Sequence, residues 1–572
     1  MPVTAQDLTT LRESLNAATL PLPLGDVDQA RADARELIAQ IDDYLLPRLA
    51  RLDAPLLAVV GGSTGAGKST LTNSLLRADV TLPGVLRPTT RAPVLACNPA
   101  DRAWFMGDGV LPDLPRLTGQ PDDDRGGAAG LHIVAHADVP VGLGLLDSPD
   151  IDSVEVANHD LATQLLGAAD LWLFVTTAAR YADAVPWGYL ARARERAAAL
   201  AIVVNRIPAT PDQTALAEIR DDLIRMLEGN GLGDTPVFAV EEQPLDDDER
   251  IPDGLAPLRT WLTDLVRDDE ARRATIRRTV DGALGSLPPR VERVADAVDA
   301  QAAAGAAFAR TAEQRYAQAT EQVRRQLGAG AMLRGEVLDR FREHVGTADW
   351  MDRLQRGVGR IRDQLQAALT GEPTTTQQAK GKIRSDLATL ILDAVASAAE
   401  DTTDTWEAMP GGHAMLQLAA PDADDVEALR RSAPPTPAAV DAAVEGWQDA
   451  VLGMVRDRAG AKASVARGLS VGVNGVGVAL MIAVFASTGG LTGGEIAVAG
   501  GTAAVSQALL SAVFGEQAVR DLARDARADL LERIDAVGRA DRARFDALVD
   551  LLPDAGPADD LRDEAAIIGS TR

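Results

Sequence analysis

LLAVVGGSTGAGKSTLTNSLL occupies residues 56–76. LLAVV (56–60) is a short apolar run of strand type. Gly62-Ser63-Thr64-Gly65-Ala66-Gly67-Lys68-Ser69 matches G-x-x-x-x-G-K-[ST] at every fixed position, and STLTNSLL after it reads as a helix. The glycines let the backbone curl until its N–H groups face phosphate oxygens, and the helix N-terminus adds a positive partial charge. Lys68 is placed to reach the β- and γ-phosphates, and the Ser69 hydroxyl to ligate Mg2+. Gly62 to Ser69, with Thr70 behind them, are the candidate nucleotide-binding residues.

Working outward, short apolar runs alternate with amphipathic stretches across 54–267: PVLAC at 93–97, LHIVA at 131–135, LGLLD at 143–147, LWLFV at 171–175, LAIVV at 200–204 and PVFAV at 236–240. This spacing predicts a three-layer α/β domain with a mainly parallel sheet. Three strand-end or loop elements add chemistry. Asp147 closes LGLLD, where a carboxylate can hold Mg2+ opposite Ser69 or cap a turn. Arg87-Pro88-Thr89-Thr90 lies between the loop's helix and the next strand. Thr89 or Thr90 there can complete a Mg2+ shell and switch with the γ-phosphate, though Thr pairs are common in loops. Asn205-Arg206-Ile207-Pro208 ends LAIVV, where an amide can help hold a purine base or make a turn.

Beyond 268 strand signals nearly vanish and Ala/Arg/Glu/Leu stretches predict a long all-α bundle or stalk. Its expected parts are a helical bundle (268–465), an apolar hairpin (466–516), a returning helix (517–552) and a loose acidic tail (553–572), in which only AAII (565–568) could dock. The returning helix carries Val519, Leu522, Ala526, Leu530, Ile534 and Val537 at helical spacing. Ahead of the α/β domain, 1–53 reads as a helical segment packing on the stalk or neck, with one amphipathic helix over 27–49.

The chain has 572 residues, with 57 Lys+Arg against 84 Asp+Glu, a net charge of −27. A field of that sign argues against nucleic acid as a partner. Cys97 stands alone, so there is no internal disulfide. The start lacks the basic-then-apolar order of a secretion signal. The five histidines form no metal-spaced cluster, and Trp350, Trp406 and Trp447 read as packing residues.

The order phosphate loop, PTT segment, strand-end Asp, strand-end Asn resembles the translation-factor-related GTPases. With a helix before the domain and a long helical region after it, the chain looks most like a bacterial dynamin-like protein. The resemblance implies that Gly62 to Ser69 bind the phosphates, that Thr89 or Thr90 is the switch I threonine, and that Asp147 is the switch II aspartate. Ser69, Thr89, Thr90 and Asp147 then form the Mg2+ set, and Lys68, Ser69, Thr64 and Thr90 the catalytic one. Asn205-Arg206 stands where the family recognises guanine. Three positions depart from the pattern. Asp147-Ser148-Pro149-Asp150 has Asp150 where D-x-x-G has its glycine. Pro208 replaces the base-reading Asp, which leaves guanine against adenine open, with Asp212 as a candidate substitute. Thr64-Gly65 occupies the part of the loop where dynamins carry polar catalytic residues, and no Gln follows Asp147 to orient water, which implies slow turnover.

Between Arg467 and Glu516 the only charged residue is Glu495. LSVGVNGVGVALMIAVFAS (469–487) and residues 496–515 are each near the ~20 residues that cross a bilayer as helix. Arg456, Arg458, Lys462 and Arg467 precede them, and Arg520, Arg524 and Arg527 follow. Basic flanks on both sides favour a hairpin entering anionic lipid from the cytoplasmic face. The many small residues also fit a packed soluble core. The resemblance favours lipid, because dynamins carry a membrane-binding element at the far end of the stalk. The expectation is a GTPase hydrolysing GTP to GDP and phosphate, self-associating as a homo-oligomer or with a paralogue, and remodelling the cytoplasmic membrane. The alternative is a soluble nucleotide switch whose helices bind a protein partner and whose hairpin is core.

Overall fold

The computed structural model describes residues 3–81, 92–119, 130–151, 156–181, 184–195, 199–208, 214–328, 373–419, 423–460, 516–554 and 556–570. Two compact units emerge, Met1–Leu20 with Gly25–Ala300 and Pro553–Arg572, and Pro21–Leu24 with Gln301–Leu552. The division falls at residue 300, because the first part of the long helix Asp269–Gly328 packs into the first unit's core.

Among the described residues of the first unit eight strands form one sheet: β1 (Leu56–Gly62), β2 (Val94–Cys97), β3 (Arg116–Thr118), β4 (Leu131–Ala135), β5 (Leu143–Asp147), β6 (Leu171–Thr177), β7 (Ala199–Ile207) and β8 (Val237–Glu241). Their order is β3-β4-β2-β5-β1-β6-β7-β8. Every pairing is parallel except β2 with β5. The expected strands follow from apolar runs buried on both faces. Period-two alternation splits them into two cores: Leu57, Val59, Leu146, Trp172 and Phe174 face one layer of helices, and Leu56, Ala58, Val60, Leu145 and Leu173 face the other. This is the expected mainly parallel, three-layer α/β fold. β3 adds an edge strand that the apolar runs did not announce.

A third core in this unit gathers Leu8, Leu11 and Leu15 of helix Ala5–Ala17, Leu37 and Ile41, then Val291 and Val294 of the long helix. The expected helix over 27–49 is interrupted. It runs as α-helix over Val27–Gln40, widens to a π-turn at Ile41–Leu45 and resumes at Leu46–Ala50. Pro47 supplies the reason: its ring displaces the carbonyl one turn back, and a wide turn just ahead accommodates it. The tail expected to be loose is instead the helix Gly556–Gly569. It buries Ala558, Leu561, Ala565 and Ile568 in the same core, while Arg562 pairs with Glu292, Asp296 and Asp299. An acidic composition concealed an amphipathic helix whose one arginine meets three carboxylates of the long helix and Asp559 of its own.

The second unit is all helix among its described residues: Pro373–Ala408, Gly412–Ala419, Ala423–Leu429, Thr436–Gly460, Glu516–Val549 and the remainder of Asp269–Gly328. Trp406 and Trp447 are fully buried, as packing residues, and donate their indole N–H groups to the Phe308 carbonyl (3.0 Å) and the Ala526 carbonyl (2.8 Å). Trp406 meets Phe545 edge-on at 5.3 Å. Asp541, buried, accepts from the Tyr316 hydroxyl (2.6 Å), the Ala433 N–H (2.7 Å) and the Arg544 guanidinium (3.1 Å). Burial, and then that carboxylate, push the Tyr316 phenol well up. Among the described residues no helix is long and apolar enough to cross a membrane. The hairpin 469–515 and Trp350 lie outside the described residues.

Candidate functional site

In parallel α/β sheets ligands bind beyond the carboxyl ends of the strands, where the chain turns into helices. The candidate residues gather there, at the ends of β1, β5, β6 and β7. After β1 the chain turns through Ser63–Gly67 into the helix Lys68–Leu76. Two positions in the turn demand glycine. A Cβ on Gly62 would come within 2.1 Å of the Val175 carbonyl oxygen on the neighbouring β6. Gly67 has φ +88° and would press a Cβ to 2.7 Å from the Asn205 amide nitrogen.

Lys68 opens the helix and is almost fully buried. Its ammonium donates to the carbonyls of Gly62 (2.9 Å) and Ser63 (3.3 Å) and to the Asp150 carboxylate. The Ser63 hydroxyl is buried and makes no hydrogen bond. Thr64 is half-buried, and its carbonyl accepts from the Arg180 guanidinium at 3.1 Å. Gly65 is exposed at the tip and Ala66 buried; Ser69 and Thr70 lie half-buried in the first helical turn. The segment after β5 is stitched back over the loop: the Ser148 hydroxyl donates to the Val60 carbonyl (2.9 Å) and the Ile151 N–H to the Gly62 carbonyl (3.4 Å).

Asp147 ends β5 fully buried, and neither carboxylate oxygen completes a hydrogen bond of good geometry. Burial pushes its pKa up to about 6, against the pull of the Ser69 hydroxyl and the Lys68 ammonium. A buried carboxylate left in that condition beside a serine hydroxyl suits a hard divalent cation. No group of three or more His, Cys, Asp or Glu side chains is placed to hold a metal among the described residues.

Asn205, also buried, donates its amide N–H to the Ala66 carbonyl at 2.9 Å, so it braces the phosphate loop. Arg206 is exposed with φ 54°, at the bulge where β7 slips register against β8. The structure therefore brings together Gly62–Thr70, Asp147 and Asn205, with Arg206 at the rim. Thr89, Thr90 and Asp212 lie outside the described residues. Sequence reasoning missed three participants: Arg180 after β6, Asp150 on Lys68, and Thr81. The Thr81 hydroxyl contacts the Ser69 carbonyl (3.3 Å) and the Asn73 side chain (3.2 Å), and lies close enough to Asp147 to lower its pKa. The usable signal for Arg180 was its place just past a strand adjoining β1.

The Asp147 shift has a measurable sign. Between about pH 4 and pH 6 the folded chain holds a proton that the unfolded chain has released, so stability falls as pH rises through that window, by up to about 3 kcal/mol from this group. Asp147→Asn is expected to lose this slope in urea unfolding of the nucleotide-free protein at pH 5 and pH 7.5. Equal slopes in variant and wild type would contradict the burial argument.

No family model matches the chain, and no curated protein matches it. Solved structures similar to it include two from studies of an oligomerised bacterial dynamin pair described as a mechanism for long-range sensing and tethering of membranes. One is 11% identical with a TM-score of 0.37, covering 99% of this chain and 95% of that one. The other is 13% identical with a TM-score of 0.31, covering 62% and 67%. Toc33 from Arabidopsis thaliana in complex with Mg2+ and GMPPNP is 16% identical with a TM-score of 0.24, covering 42% of this chain and 93% of that one. Scores this low carry no argument; the fold stands on the strand order and the loop above.

Proposed function

We propose that this chain is a dynamin-like GTPase. It binds a purine nucleoside triphosphate, GTP by the residue pattern, hydrolyses it to GDP and phosphate, and couples that cycle to self-association and to membrane binding through residues 469–515. The observation that carries the reading is the buried Lys68 ammonium and the buried Asp147 carboxylate beside one turn in which Gly62 and Gly67 leave no room for a Cβ. Backbone amides at such a turn into a helix N-terminus suit oxygens that already carry negative charge.

In this reading the loop amides and Lys68 grip the β- and γ-phosphates and offset the charge that develops as the terminal phosphoryl group leaves. Arg180 holds the loop through the Thr64 carbonyl. Asn205 braces it from below through Ala66. Ser69 and Asp147 are the residues that would hold Mg2+, which would supply positive charge beside the phosphates. Thr64, with Thr89 or Thr90, stands for the remaining polar contacts, and Arg206 for the rim of the base. Residues 466–516 are the lipid-binding element on the cytoplasmic face, and oligomers form with like chains or a paralogue.

The test measures Mg2+-dependent hydrolysis of GTP and ATP by the full chain, with and without anionic vesicles, and flotation of the same mixtures. The expected result is slow GTP turnover that rises with vesicles, and protein floating with them. Failure to hydrolyse either triphosphate in any mixture would contradict the enzyme. Turnover without flotation would leave a soluble switch.

A further inference from the structure

Every donor of the Lys68 ammonium is engaged: by two carbonyls of the loop itself and by the Asp150 carboxylate. Both members of that ion pair are buried. A lysine held this way must release a partner before it can pair a phosphate. The two carbonyls move only if the loop unwinds. Asp150 sits on the segment leaving β5, and its neighbour Ile151 is held by two long hydrogen bonds, its N–H to the Gly62 carbonyl at 3.4 Å and its carbonyl from the Tyr189 hydroxyl at 3.3 Å. Asp150 is therefore the partner that yields most readily.

Resting on the reading that the loop binds nucleotide, we infer that Asp150 is a built-in surrogate for the γ-phosphate and sets the preference between triphosphate and diphosphate. A terminal phosphate brought to Lys68 meets this carboxylate at short range in a buried site, where like charges repel strongly. A triphosphate binds only with Asp150 displaced. A diphosphate leaves the terminal position open, and Asp150 keeps its hold on Lys68. The D-x-x-G glycine that the family pattern has here would attract the γ-phosphate with a backbone N–H. This chain uses repulsion, so the terminal phosphate pushes the segment after β5 away from the loop. Asp150 thereby supplies the differential affinity that any nucleotide-driven change of arrangement requires.

The experiment titrates full-length wild type, Asp150→Asn, Asp150→Ser and Asp150→Glu with fluorescent GTP and GDP analogues in Mg2+. Circular dichroism checks that each variant is folded. In Asp150→Asn and Asp150→Ser the ratio of triphosphate to diphosphate affinity is expected to rise by about tenfold or more, with little change for diphosphate. Asp150→Glu keeps a ratio near that of wild type. An unchanged ratio in the folded neutral variants would overturn the inference while leaving nucleotide binding intact. A fallen ratio would also overturn it, and would make Asp150 a ligand for the triphosphate complex instead. Were neither wild type nor any variant to bind, the inference and the proposed function would fall together.

Discussion

Lys68→Ala is expected to lower affinity for the triphosphate by about a hundredfold or more, close to 3 kcal/mol. The ammonium is buried, so its charge acts on a phosphate through little intervening water. The substitution also strands Asp150, because a buried carboxylate that loses its cation costs several kcal/mol. A simple loss of binding would therefore be ambiguous. The double variant Lys68→Ala with Asp150→Ala removes the stranded charge. It is expected to recover stability in urea unfolding and still bind poorly in a fluorescent-nucleotide titration. Tight binding by the double variant would contradict a direct role for Lys68.

The second large effect lies away from the loop. Arg48 and Asp170 form a buried ion pair. The Asp170 carboxylate also accepts from the Leu57 N–H (2.7 Å) and the Tyr44 hydroxyl (3.2 Å), and the Asp170 carbonyl accepts from the Thr279 hydroxyl (3.2 Å). One cluster thus joins the N-terminal helices, the starts of β1 and β6 and the long helix Asp269–Gly328. Burial raises the Asp170 pKa, and Arg48 is the first of the groups that oppose the rise. Arg48→Ala is expected to cost about 3–5 kcal/mol, because it leaves the carboxylate buried without its cation. Arg48→Met combined with Asp170→Asn should recover much of that loss, since neither partner then carries charge. Urea unfolding of the three proteins decides it; a loss under 1 kcal/mol in Arg48→Ala would contradict the buried pair.

Much of this architecture can be read from residue order, where burial is two-sided. The seven apolar runs became strands because a parallel sheet covered on both faces admits little else. β3 escaped because a three-residue edge strand, Arg116–Thr118, carries one apolar side chain. Within the helical segment expected over 1–53, the structure opens the helix Ala5–Ala17 on a reciprocal capping box between Thr4 and Asp7 and buries Leu8, Leu11 and Leu15. The helix Gly556–Gly569 hid behind its acidic composition; its apolar stripe acquires meaning only against Leu8, Leu11 and Val291. At the site, the loop, Asp147 and Asn205 follow from motif and strand-end position. The pairing of Asp150 with Lys68 does not. The pattern shows that a glycine is missing, but only the path of the chain after β5 brings the new carboxylate onto the ammonium.

In the proposed function the turn after β1 holds a triphosphate tail. Isothermal calorimetry of the full chain with a non-hydrolysable GTP analogue and Mg2+ tests it directly. The account predicts saturable heat at one site per chain, lost in the Lys68→Ala, Asp150→Ala double variant. No heat from the wild type with either a guanine or an adenine analogue would contradict it.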